Sequence, residues 1–311
     1  MINTRKDYID TAKGLVILWV VWMHMNIPSL LYASVQMPFF FFISGALFNN
    51  SKEFRNFVYS KFKSLIVPTI SFCLIAGILF YINGNKQFIN ADTFTKIDYT
   101  IKGSITWFLI ALFLFNIIQY FIKKSILKYE LIISILIYPI GAYLYANDYF
   151  SIIPFIPITH MMVFWIYFVF GVFFGKITIN IIENKPSSTK YIIGVCVAVI
   201  IMVHVIPWNT GFFKYISFYV YIFPYTISFI IIIFFLCKKI EGLKVFSIFT
   251  FLGRNSIIVY LTHWPIYIYT KEILYGVSPY SAYLMIILSI IPIILFINYC
   301  VPFIIGKKYK L

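Results

Sequence analysis

The chain has 311 residues, of which 62% are hydrophobic, 21% aromatic and only 11% charged. A soluble domain averages about 25% charged and about 45–50% apolar residues, and one water-soluble core cannot hide so much apolar surface. Composition excludes a soluble globular enzyme, a disordered chain and a disulfide-stapled secreted module; it leaves an all-α, polytopic integral membrane protein. The formal net charge of +15 would elsewhere suggest nucleic acid. Here the basic residues fall in short clusters between apolar stretches of about 17–22 residues, the length that crosses hydrocarbon. They are read as a topology signal, with the lipid bilayer and not nucleic acid as the partner.

Ten apolar segments follow in chain order: 13–32, 34–49, 64–82, 105–122, 131–146, 158–175, 191–207, 215–236, 248–270 and 281–304. Their aromatic and β-branched content is too continuous for period-two alternation, so helices rather than barrel strands are expected. The second and fifth are short, and a tilted or partly re-entrant course is expected for them. Alternate loops then place 20 basic residues on one face and 5 on the other, the five being Lys86, Lys96, Lys102, Lys214 and Lys271. That asymmetry predicts about ten transmembrane helices with both termini cytoplasmic. The first segment lacks an A-x-A-like exit and carries His24, so a retained helix is expected rather than a cleaved signal. No soluble domain fits anywhere, and residues 1–311 read as a single transmembrane domain. The four cysteines lie in four different spans without C-x-x-C spacing and read as small apolar packing residues. Gly171 and Gly175, in G-V-F-F-G, predict a face for close approach of a neighbouring helix.

Ionisable groups inside a span are costly, so any that occur there are functional candidates. All ten acids lie outside the segments or at their edges. No midplane carboxylate is present for proton or cation coupling, and no buried carboxylate pair for glycoside hydrolysis. Histidine remains. His160 and His204 fall at outer ends of spans and read as interfacial anchors. His263, followed by Trp264 and Pro265, reads as either a helix-interior hydrogen-bonder or a site residue. His24 lies about 16 Å along its helix from Lys13, at 1.5 Å per residue, within W-V-V-W-M-H-M-N. An imidazole at that depth needs partners, and a cheaper residue would pack as well. Held neutral, it keeps one ring nitrogen free to accept a proton. No H-x-x-x-H, H-E-x-x-H or Cys/His cluster predicts a metal site. The P-loop, G-x-G-x-x-G and G-x-S-x-G patterns are absent, as is the H-x-x-x-x-D pattern of soluble acyl-transfer enzymes.

Four stretches together resemble the membrane acyltransferase-3 family in its fucose O-acetylase-like branch. They are Y-I-D-T-A-K-G-L-V-I-L-W-V-V-W-M-H (8–24), M-P-F-F-F-F-I-S-G-A-L-F (37–48), T-W-F-L (106–109) and L-G-R-N-S-I-I-V-Y-L-T-H-W-P-I (252–266). Y-S-K-F-K-S-L-I-V-P (59–68) also resembles the basic run that opens the family's third helix. Many relatives have Arg where this chain has Lys13, and Lys lacks the bidentate fork of Arg.

The resemblance implies an integral-membrane O-acyltransferase. It would move an acyl group, usually acetyl, from cytoplasmic acyl-CoA to a sugar hydroxyl of a cell-envelope glycan or its lipid-linked precursor. Acyl-CoA would be a donor substrate, with no permanently bound cofactor, in the plasma (inner) membrane of a bacterium. His24 would be the catalytic base. Lys61, Lys63 and Arg254 would meet the phosphates of the donor; taken singly, a basic residue at a helix end reads more readily as facing lipid phosphate, Arg254 inside the fourth stretch being the exception. Lys13, Ser44, Trp107, Asn255 and His263 would contact substrate; Ser44 reads equally as a helix-packing contact. A neutral group must set the His24 tautomer: Asn26, Ser44, Asn255, His263 or a backbone carbonyl. An exporter or flippase of a surface polysaccharide is the alternative, and a non-catalytic scaffold the third reading. The acyl group (acetyl or succinyl), the acceptor sugar, the choice between direct transfer and an acyl-histidine intermediate, and the oligomeric state are left open by the sequence.

Overall fold

The structure is a computed structural model that describes residues 6–25, 35–82, 106–146, 157–205, 214–270 and 276–307. Twelve α-helices occur among them: α1 (Asp7–His24), α2 (Gln36–Ala46), α3 (Phe54–Lys61), α4 (Val67–Ile82), α5 (Trp107–Phe121) and α6 (Leu127–Ala146) in the first half. The second half holds α7 (Ile158–Asn184), α8 (Pro186–Val205), α9 (Lys214–Lys239), α10 (Ser247–Arg254), α11 (Ser256–Thr270) and α12 (Pro279–Cys300). A π-helical turn, Phe62–Ile66, joins α3 to α4, and a 3₁₀ turn, Pro302–Ile305, follows α12. No strand occurs among the described residues, as period-free apolar runs require.

The expected count of ten is not reached by length alone. Six described helical runs are long and apolar enough to cross a membrane, or seven if α10 and α11 count as one span. Three expected segments account for the difference. α1 opens on a polar turn with Asp7, Asp10 and Lys13, and its expected outer continuation lies outside the described residues. α2 has 11 residues, about 16 Å at 1.5 Å each, roughly half a bilayer core. α5 has 15 residues and is apolar but short. The expected segment 248–270 is a broken pair, α10 and α11, bent by 78° at Asn255.

α2 lies in the middle of the bundle and is apolar on every side, as a helix buried all round must be. Phe39, Phe41 and Phe42 are fully buried. The Phe41 ring lies 4.9 Å from that of Phe108, 5.3 Å from that of Phe115 and 5.4 Å from that of Phe164. Phe39 meets Phe234 of α9 at 5.3 Å. Such offset and edge-to-face pairs contribute about 0.5–1.5 kcal/mol each beyond burial. Large apolar side chains face outward on α6 (Ile132, Leu136, Ile140), α8 (Val195, Ile201, Met202) and α12 (Leu284, Leu288, Phe296), the surface that lipid would cover.

Three helix pairs approach through glycine, one of them α6 with α7, where Gly141 lies against Met162. Gly171 of α7 rests against the Phe42 carbonyl of α2, Gly175 against Ala46, and Gly45 of α2 against the Phe168 carbonyl. The G-V-F-F-G face thus receives a neighbouring helix, as its small residues indicate. α10 meets α1 in the same way: Gly14 lies against the Phe249 carbonyl and Gly253 against that of Asp10. Thr11 and Thr250 join the pair by a hydroxyl hydrogen bond of 2.7 Å.

The polar ends of several helices gather at one end of the bundle. Lys6 pairs with Glu183 at 2.7 Å, and the Tyr8 hydroxyl donates to the same carboxylate at 2.9 Å. Lys238 pairs with Glu241 at 2.6 Å, and Glu241 also accepts from the Tyr8 backbone N–H at 3.3 Å. Arg254 pairs with Asp7 at 2.6 Å. All these residues belong to stretches that the charge pattern assigns to one face. The cysteines are free, two buried (Cys196 and Cys237), one half-buried (Cys73) and one exposed (Cys300).

Candidate active site

His24 closes α1, and the α1–α11 packing sets it against the second half of the fourth sequence stretch. Its ring centroid lies 5.1 Å from that of His263 and 5.1 Å from that of Trp264. His24 is half-buried; His263 is completely buried. The His263 Nδ1 lies 3.1 Å from the Val259 carbonyl one helical turn earlier. A carbonyl oxygen can only accept, so Nδ1 carries the proton and donates. The remaining ring nitrogen, Nε2, is then an acceptor, buried and without a hydrogen-bond partner. A buried polar atom left unpaired costs about 1–3 kcal/mol. Unpaired atoms of this kind in native folds mark functional positions or ligand contacts.

A cavity of about 270 Å³ lies between α1, α2, α3, α5 and α11, and neither histidine lines it. Its polar lining is Lys13 of α1, Ser44 of α2, Lys61 of α3 and Ser256 of α11; Phe108 and Tyr260 form part of its apolar wall. Tyr260 joins the two features. It lines the cavity, and its ring lies 6.1 Å from that of His263. Phe108 of α5 holds Tyr260 from the other side, edge to face at 5.3 Å.

Three residues expected at the site, Lys13, Ser44 and Lys61, therefore share one cavity, while His24 and His263 form a pair outside it, joined to it through Tyr260. Ser44 accepts from the Asn116 amide at 3.5 Å, a long hydrogen bond. Lys13 is 3.4 Å from Asp10. Lys61 has no carboxylate within ion-pair distance among the described residues and lies 5.5 Å over the Phe57 ring. An ammonium in an apolar wall without a counter-ion is an anion site in waiting.

Other expected residues lie apart from the cavity. Arg254 donates from Nη2 to Asp7 at 2.6 Å, and its Nε stands 3.6 Å from an Asp10 carboxylate oxygen, ion pairs that fasten α10 to α1. Asn255 stands at the α10–α11 bend. It donates to the Phe251 carbonyl and accepts from Asn298, which in turn accepts from Lys307 at 2.9 Å. Lys63 lines an outer groove rather than the cavity. Trp107 packs among Phe41, Phe108 and Phe164, and its ring lies 4.3 Å from that of His160. The expected His160 anchor thus belongs to an aromatic group that also includes Tyr145. His204 is exposed and bonded to its own helix at Ile200. Among the groups expected to orient His24, the structure sets His263 against it; Asn26 lies outside the described residues.

Sequence reasoning missed Tyr260, Ser256 and Asn116. Tyr260 stands three residues before His263, the i, i+3 spacing that stacks side chains on one helix face. Asn116 is fully buried with an unpaired amide oxygen; a search confined to ionisable groups passes over it.

Gly306 fixes the cation-bearing turn from below. Its φ of +69° is left-handed, and its Cα lies against the Lys63 carbonyl of the π-helical turn. A side chain there meets both strain and a clash. Gly306→Ala is expected to lower the thermal midpoint of the purified protein by several degrees, which scanning calorimetry checks.

A family model described as an acyltransferase domain, acyltransferase-3, matches residues 6–306. No curated protein and no solved structure matches the chain. The matched region spans the helices that carry the cavity, the His24–His263 pair and the bend between them. The chain belongs to the acyltransferase-3 family and is a multi-pass membrane acyltransferase.

Proposed function

We propose that the protein is an O-acyltransferase of the fucose O-acetylase-like branch, working in the plasma (inner) membrane of a bacterium. The acyl group is acetyl, the donor cytoplasmic acetyl-CoA, and the acceptor a sugar hydroxyl of a cell-envelope polysaccharide or its lipid-linked precursor. The observation that supports this reading most is the arrangement of cations, cavity and histidines. Two ammonium groups, Lys13 and Lys61, line a small cavity; the ring of its wall residue Tyr260 lies 6.1 Å from that of His263, which in turn pairs with His24. A polyanionic donor enters from the end that carries the basic clusters. Its thioester arm occupies the cavity and presents the acyl carbon towards His24.

His24 takes the proton from the acceptor hydroxyl as the oxygen attacks the thioester carbonyl. The tetrahedral adduct collapses, the carbon–sulfur bond breaks, and the imidazolium returns its proton to the departing thiolate. Charge and atoms balance without a further reactant. His263 acts as a positioning residue. Its Nε2 has no partner at rest, and its ring lies 5.1 Å from that of His24; in the reacting complex it accepts an N–H of His24 and turns the other His24 nitrogen towards the hydroxyl. A neutral imidazole here takes the orienting place that a carboxylate fills in other acyl-transfer sites.

Membranes containing the protein, incubated with acetyl-CoA labelled in the acetyl group, test the reading. Label is expected in the glycan or its lipid-linked precursor; label that never leaves coenzyme A in the presence of that acceptor contradicts it. His263→Gln retains an acceptor oxygen, whereas His263→Phe does not. The account expects a lower kcat for both, with the glutamine variant the faster by about tenfold, from initial rates of label transfer.

A further inference from the structure

The 270 Å³ cavity is smaller than the roughly 300–1,000 Å³ of an ordinary ligand pocket, and a coenzyme A thioester is larger than most ligands. It holds the arm and leaves the nucleotide end outside. Immediately across the α3–π-turn segment lies a second, open groove of about 630 Å³, lined by Lys52, Asn56, Ser60, Lys63 and Ser64. The π-helical turn separates the two compartments. Lys61, just before it, lines the cavity, and Lys63, within it, lines the groove. Turns of this kind are short and recur at functional sites, where they redirect neighbouring side chains.

The groove has an excess of positive charge. Glu53 also lines it, but that carboxylate accepts the Asn56 amide at 3.3 Å, and no carboxylate lies within ion-pair distance of Lys52 or Lys63 among the described residues. Cations therefore lie on both sides of the π-helical turn, Lys61 in the cavity and Lys52 and Lys63 in the groove. Ser60 and Ser64 add hydroxyls, which serve phosphate oxygens as donors.

We propose that this groove is the subsite for the nucleotide end of the acyl-CoA donor, with Lys52 and Lys63 holding its 3′-phosphate. The inference rests on the acyl-CoA reading above and adds a place and two residues for the terminal phosphate. The same chemistry would suit an anionic lipid headgroup, and the test separates the two sources.

Coenzyme A and 3′-dephospho-coenzyme A differ only in that phosphate. Their dissociation constants are measured by calorimetry on the full chain in nanodiscs of neutral phosphatidylcholine, and again with phosphatidylglycerol. Wild type is expected to bind coenzyme A about tenfold more tightly than the dephospho form in both lipids. Lys63→Ala and Lys52→Ala should lose that preference while binding the dephospho form as wild type does, and Lys63→Arg should keep it. Equal affinity of wild type for the two ligands overturns the proposal, as does an equal loss for both ligands in the alanine variants. If the lysines affect only thermal stability in phosphatidylglycerol, the groove is a lipid site and the proposal fails. Wild type that binds neither nucleotide overturns the donor reading itself.

Discussion

Replacing His24 by Ala, at unchanged expression, lowers acyl transfer by at least about 10²-fold, the lower range of what a positioned acid–base group contributes. The expectation follows from placement. His24 is half-buried, packs against His263 and Trp264, and is linked through His263 to Tyr260 of the cation-lined cavity. No second histidine can substitute in place, because His263 has one ring nitrogen committed to the Val259 carbonyl and is fully buried. The loss should appear in kcat, with donor affinity retained, since Lys13 and Lys61 remain. Initial rates with labelled acetyl-CoA, together with coenzyme A binding to the same variant, separate the two quantities. Wild-type rates in the variant would remove His24 from the chemistry.

The second large effect concerns assembly of the site rather than its chemistry. Gly171→Val drives a side chain into the Phe42 carbonyl of α2, where even a single added carbon clashes with backbone. Backbone cannot give as a flexible side chain can, and overpacking of this kind costs about 1–3 kcal/mol or more. α2 also carries Ser44 on the cavity wall, so activity should fall with stability. Gly194 of α8 is the internal control, because an added Cβ there meets nothing within 4 Å. Gly194→Ala should leave stability unchanged or raise it by up to about 1 kcal/mol, as glycine-to-alanine changes in helices do. Thermal melts in detergent compare the two directly. Equal melting of the Gly171 and Gly194 variants would contradict the packing described for α2 and α7.

Much of the architecture follows from patterns visible along the chain. Long apolar runs predicted α7 to α9 and α12, and the G-V-F-F-G spacing predicted a close helix contact, whereas α6, read from 131–146 as a short segment, belongs to a 22-residue helical run long enough to span. Depth along α1 and a shortage of other buried ionisable groups singled out His24, and the Lys13, Ser44 and Lys61 positions converge on one cavity. What escaped the sequence was set by distant contacts. The 248–270 run reads as one apolar segment because hydropathy averages over a bend, whereas Gly253 must approach Asp10 closely and thereby turns α10 away from α11. The Arg254–Asp7 ion pair joins residues 247 positions apart in the chain, a separation that no local pattern reports. α2 reads like a short span because a helix enclosed by other helices and a helix enclosed by lipid have the same apolar composition. The π-helical turn, which sends Lys61 and Lys63 to different compartments, has no signature in F-K-S-L-I.

The central claim is that this chain transfers an acyl group to an envelope glycan with His24 as base. Mass spectrometry of the cell-surface glycans from a deletion strain, complemented with wild type or with His24→Ala, tests it most directly. The expected result is a mass loss in the deletion strain of one acyl group per modified repeat unit, restored by wild type and not by the variant. A glycan of unchanged mass, present in smaller amount at the surface, would contradict the account and assign the protein to export instead.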